Sequence, residues 1–126
     1  MTVRAASTHF ENQPGTMIQD TIERLEASVR KTAALKEESK TELLGLLSTL
    51  KGEVGELAKT HADDAKSIAG FAAVSTHEAT RAEPNPELLE LSLQGLSRSV
   101  EDFEGTHPRL VQIVNSVCNA LSSLGI

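Results

Sequence analysis

The chain has 126 residues, of which 39% are hydrophobic and only 2% aromatic, and its formal net charge is −6. This length fits one domain, and the Ala, Leu, Glu and Lys that dominate the middle of the chain favour helices over sheets. The acidic balance excludes the basic surface that nucleic-acid binding normally needs, and it disfavours anionic lipid surfaces. We therefore expect neither nucleic acid nor a membrane as a partner.

The first fifteen residues are polar and end in the turn-forming pair Pro14-Gly15. They are interpreted as a flexible N-terminal tail that precedes one helical domain over residues 16–126. The tail lacks the apolar run of a signal peptide, and no apolar stretch reaches the ~20 residues that span a bilayer. Since the single cysteine, Cys118, cannot form an intrachain disulfide, we expect a cytoplasmic location.

Apolar residues after the tail recur at heptad spacing, which is typical of helices with one apolar seam. A first helix is predicted from about Met17 to Ala34, with its seam at Ile18, Ile22, Leu25 and Val29. The same rhythm predicts a second, more strongly patterned helix, with its seam at Leu43, Leu47, Leu50, Val54 and Leu57.

No proline lies in residues 59–81 to end this second helix. The eleven-residue step from Leu57 to Ile68 fits a continuous helix whose supercoil relaxes locally. The sequence thus favours one long helix over about residues 38–81, bent near Gly70. In the alternative interpretation the chain breaks at residues 61–64, where an aspartate would cap a new helix.

Two prolines, Pro84 and Pro86, forbid helix continuation, so a third helix should begin near Glu87 and end at Gly105. Pro108 then suits the first position of a fourth helix, which Gly125 and Ile126 would close with a capping turn. The two seams are Leu89, Leu93, Leu96, Val100 and Phe103, and then Leu110, Val114, Val117, Leu121 and Leu124. The predicted fold is all-α, an antiparallel heptad-patterned bundle of one long and three shorter helices.

Two stretches of sequence resemble a known family. They are SVEDFEGTHPRLVQIVNSVCNALSSLGI at the C-terminal end and LKEESKTELLGLL in the middle, together about a third of the chain. The FE-x-x-HP-x-L pattern followed by LS-x-x-GI is similar to an uncharacterised bacterial domain-of-unknown-function family of short helical proteins. The resemblance implies a small helical protein, and it implies no activity and no functional residue.

Few residues form a pattern that predicts chemistry. His61, Asp63 and Asp64 are close in sequence and His77 follows on the same predicted helix, so a divalent-metal-binding bundle is one hypothesis. A solvated polar stretch is the favoured interpretation, because no inward Glu-x-x-His motif accompanies these residues. His107 is interpreted as a residue held by helix capping and Cys118 as a small buried hydrophobe.

No nucleophile, base and oxyanion site come together in the sequence, so we expect neither an enzyme nor a cofactor. The favoured function is a self-associating interaction module, a homodimer that could also bind another helical protein. A first helix alone cannot cover the wide apolar face of a long second helix, and the uncovered part would pair with a second copy. The predicted interface is Leu43, Leu44, Leu46, Leu47, Leu50 and Val54.

Overall fold

A computed structural model describes the backbone of residues 14–124 and the side chains of residues 17–124. This range contains five α-helices and no strand, so the protein is all-α, as predicted. The helices are α1 (Pro14–Lys31), α2 (Glu37–Ala58), α3 (Ala62–Thr80), α4 (Pro86–Arg98) and α5 (Pro108–Leu124), with a 3₁₀ turn at Glu101–Phe103. The tail predicted over residues 1–13 and the cap predicted at Gly125 and Ile126 lie outside the described residues.

The heptad seams form the core of the bundle. Every predicted seam residue of α1 and α2 is buried, as are those of α4, the 3₁₀ turn and α5, except for the half-buried Leu93 and Leu124. α1 packs on α2 and α3, while α5 packs on α2 and α4. The seams predicted from sequence are therefore confirmed.

The predicted continuous helix over residues 38–81 is wrong, because the chain turns between α2 and α3. The Thr60 N–H donates to the Leu57 carbonyl at 3.1 Å, a three-residue spacing that tightens the last turn of α2. His61 then leaves the helical region, with φ −134° and ψ 65°. The alternative break at residues 61–64 has the right position, but His61 rather than an aspartate is the N-cap residue.

The packing of α3 explains why the chain turns here. α3 contacts all four other helices, and its buried face is made mainly of small side chains. A straight helix would leave this face in water, whereas the turn folds it against α1 and α2 and buries Ile68 completely. The buried residues of α3 are Ala65, Ile68, Ala69, Ala72, Ser75, Thr76, Glu78 and Ala79.

Three other helix boundaries differ from the predictions by at least three residues. α1 begins at Pro14 instead of Met17, since proline is well tolerated in the first turn of a helix. It ends at Lys31 and not Ala34. α4 ends at Arg98, well before Gly105, and the 3₁₀ turn that follows brings Phe103 into the core by a tighter path.

The helices that begin at Pro86 and Pro108 start within one residue of the predicted positions. α5 begins at Pro108, as predicted, and α4 begins at Pro86, one residue earlier than predicted. The Asn85 side chain caps α4 by accepting a hydrogen bond from the Leu88 N–H at 3.1 Å. The Asn85 cap fixes where the connection between α3 and α4 ends.

Candidate functional site

Four large apolar side chains remain exposed on two neighbouring helices. Phe71 and Val74 of α3 are 38% and 50% exposed, and Leu88 and Leu91 of α4 are 45% and 57% exposed. We call these four residues the α3–α4 surface. Contiguous exposed apolar side chains in a small protein commonly mark a binding face.

A close contact between Phe71 and Gly95 fixes how the two helices are aligned. A Cβ atom added to Gly95 would lie 2.6 Å from Cδ1 and 2.9 Å from Cζ of Phe71, so the ring lies directly over the glycine. Phe71 stands nine residues before the end of α3, and Gly95 stands nine residues after the start of α4. Because the two residues are equally far from the short connection over residues 81–85, the helices run antiparallel, and this register puts Val74 level with Ser92 along the helix axes.

The residues predicted as the dimer interface lie on α2, outside the α3–α4 surface. Leu43, Leu47, Leu50 and Val54 are between 0 and 1% exposed within a single chain, and Leu44 and Leu46 are half-buried against the same core. The prediction assumed that α1 alone had to cover α2. Because the turn after α2 brings α3 and α5 onto that face as well, the four buried residues belong to the core of one chain and are not a surface for a second copy.

A cleft of about 470 Å³ opens where α3 and α5 begin. Its floor is a cluster of three rings: the His61 and His107 centroids lie 5.2 and 5.5 Å from that of Phe103, in edge-to-face geometry. The two imidazole centroids are 6.1 Å apart. Asp64 and Asp102 also line the cleft.

Backbone and hydroxyl contacts hold both histidines in place. His107 donates its N–H to the Phe103 carbonyl at 2.7 Å, and its own carbonyl accepts the first hydrogen bond of α5. The Nδ1 atoms of His61 and His107 lie 2.8 and 2.9 Å from the hydroxyls of Thr60 and Thr106. Each threonine hydroxyl thus orients the neighbouring imidazole, and the backbone bonds of His107 agree with its capping interpretation.

The residues of the hypothetical metal site do not come together. His61 and Asp64 line the cleft, whereas His77 lies sixteen residues further along α3, about 24 Å away at 1.5 Å per residue. Asp63 is exposed in the first turn of α3. Within residues 17–124 no group of three or more His, Cys, Asp or Glu side chains is arranged to hold a metal ion.

Cys118 is half-buried on α5, with its Sγ 3.9 Å from the Leu93 carbonyl oxygen. Burial raises the pKa of this thiol, which favours the protonated, unreactive form. Its surroundings are those of a small packing residue.

The α3–α4 surface is not among the residues predicted from the sequence. A signal was present, since Leu88 and Leu91 lie off the seam formed by Leu89, Leu93 and Leu96. Phe71 and Val74 gave no comparable signal, because their exposure depends on how α3 folds back onto the bundle.

None of the helices in the described range has the length and apolar character needed to cross a membrane. Searches among curated proteins and solved structures find no match. A family model described as a domain of unknown function, DUF4404, matches residues 18–126, which include all five helices apart from the first turn of α1. The resemblance found in the sequence is thereby confirmed: the chain belongs to the DUF4404 family, a family of unknown function.

Proposed function

We propose that this protein is a non-enzymatic interaction module that associates with itself through the α3–α4 surface. The observation that carries the proposal is the exposure of Phe71, Val74, Leu88 and Leu91 on two helices that the contact between Phe71 and Gly95 holds together. Their burial against a second copy would remove apolar area from water, which is the main driving force of protein association.

The arrangement of helices suits self-association. Two antiparallel helices that present an apolar surface can pair with the same two helices of another copy, and the product is a four-helix contact about a two-fold axis. Four side chains per copy are far fewer than the roughly 20–30 residues per side of a standard interface. We therefore expect a weak dimer, with a Kd on the order of tens to hundreds of micromolar.

Other partners fit the chain less well. The net charge of −6 disfavours nucleic acid and anionic membrane surfaces. A different helical protein with an apolar face is the second class of partner that the α3–α4 surface would accept. The cytoplasm is the compartment that we propose, supported by a single half-buried cysteine.

Sedimentation velocity between 10 and 500 µM tests the proposal. The mass should rise from 13.5 kDa towards twice that value as the concentration increases. Leu91→Glu places a charge in the exposed surface, so it should keep the protein monomeric without unfolding it. Asn115→Glu adds the same charge at an exposed position of α5 and should associate like the wild type.

A core variant separates association from folding. Leu47→Glu would bury a charge at a position that is fully enclosed in one chain. It should therefore lower the free energy of unfolding of the monomer by more than about 4 kcal/mol. A wild-type protein that stays at 13.5 kDa up to 500 µM would overturn the proposal. So would a dimer that Leu91→Glu leaves intact.

A further inference from the structure

The outer face of α4 carries opposite charges at its two ends. Glu87 is exposed in the first turn, Arg98 is exposed at the last residue, and Leu91 lies between them on the same side. None of the ion pairs found among residues 17–124 includes Glu87 or Arg98. Both charges are therefore available to a partner.

An antiparallel pair of α4 helices would match these charges. If Glu87 of one copy faces Arg98 of another, two-fold symmetry places the second Glu87 opposite the first Arg98. The centre of this arrangement falls near residue 92 of α4, midway between the two charges. Each Leu91 then lies within about 2 Å of the centre along the helix axis, so the two leucines are close enough to touch.

The apolar residues have almost the same centre as the charges. Along the helix axis, Phe71 is level with Gly95 and Val74 is level with Ser92. The mean axial position of the four residues of the α3–α4 surface is therefore within about one residue, or 1.5 Å, of that centre. In this register the second copy's Leu88 and Leu91 would lie beside Phe71. One alignment therefore satisfies both the apolar contacts and the ion pairs.

We infer that the partner on the α3–α4 surface is a second copy of this chain, docked with its α4 antiparallel so that Glu87 of each copy faces Arg98 of the other. The inference rests on the proposed function and adds the partner's orientation and register to it. Exposed ion pairs of this kind are weak and sensitive to salt, so they select the register while the apolar residues supply most of the affinity.

Charge reversal tests the register. Arg98→Glu and Glu87→Arg each place like charges at both contacts of a homodimer, so each should raise the Kd about fivefold or more in sedimentation at low salt. The double variant Glu87→Arg/Arg98→Glu restores opposite charges and should return the Kd to within about threefold of the wild type. Arg109→Glu changes the net charge by the same amount as Arg98→Glu, at an exposed position of α5, and should leave the Kd within about twofold of the wild type.

Mixing the two single variants gives a sharper test. A heterodimer of Glu87→Arg with Arg98→Glu has complementary charges at both contacts, so the mixture should associate more strongly than either variant alone. A mixture of Glu87→Arg with Arg109→Glu should show no such gain. Circular dichroism of each variant verifies that α4 remains folded.

The outcomes separate the two proposals. If the wild type dimerises and Leu91→Glu abolishes the dimer, but the charge variants and their mixture behave like the wild type, the antiparallel register is wrong and the self-association stands. If the wild type remains monomeric at 500 µM, both proposals fail.

Discussion

Gly95→Ala is the most direct test of how α3 and α4 pack. Alanine is favoured over glycine inside a helix by about 0.8–1.0 kcal/mol, so the change alone should stabilise α4. The added methyl group, however, would meet the Phe71 ring at 2.6 Å from Cδ1, and the ring must move. Overpacking of this kind costs about 1–3 kcal/mol. We expect a net change between zero and a loss of about 2 kcal/mol in the free energy of unfolding.

Gly70→Ala is the matched control. Nothing lies within 4 Å of a Cβ added to Gly70 of α3, so this variant should gain the helix propensity of alanine without a clash. Urea denaturation followed by circular dichroism should therefore find Gly95→Ala about 1–3 kcal/mol less stable than Gly70→Ala. In a Phe71→Ala background the clash is absent, and Gly95→Ala should then stabilise as much as Gly70→Ala does. Equal stabilisation by both alanines in the wild-type background would refute the contact and the alignment of α3 with α4 that we derive from it.

Three further predictions concern ionisable groups. The hydrogen bond from Lys51 Nζ to Glu26, at 3.1 Å, raises the pKa of this lysine above its usual 10.5. The stability from this pair is therefore complete below about pH 10 and is lost as the pH rises through the folded-state pKa. In urea denaturation above pH 10, the free energy of unfolding of Lys51→Met should fall less than that of the wild type. Equal falls would contradict the assignment. Because burial raises the pKa of the Cys118 thiol, iodoacetamide at pH 8 should alkylate the native protein much more slowly than the urea-unfolded chain, and similar rates would show an open thiol. Micromolar zinc should leave the Tm unchanged, whereas an increase that His61→Ala abolishes would reveal a metal site.

Much of the fold follows from local sequence patterns, and the turn between α2 and α3 is the exception. Apolar spacing identifies the buried residues of α1, α2 and α5, because each helix must bury one stripe whatever its neighbours are. The turn at His61 has no proline or glycine to signal it. It results from the gain in burying the face of α3 around Ile68, which depends on contacts distant in sequence.

The candidate site was less predictable because it, too, depends on contacts distant in sequence. Once α2 and α3 are separate helices, the face around Leu47 is covered inside one chain and its value as an interface is lost. The exposure of Phe71 and Val74 depends on the antiparallel alignment that the contact between Phe71 and Gly95 defines. Helical periodicity identifies which stripe of a helix is apolar, but it does not specify which neighbour covers that stripe.

The small side chains of α3 have a consequence for local stability. Alanines bury little apolar area, and the buried hydroxyls of Ser75 and Thr76 have no hydrogen-bond partner among the described residues. α3 should therefore open more readily than α2, and its backbone amides should exchange with deuterium faster than those around Leu47. Since α3 carries half of the proposed contact surface, a bound second copy should slow this exchange. Docking of the second copy and local order would then be coupled through α3.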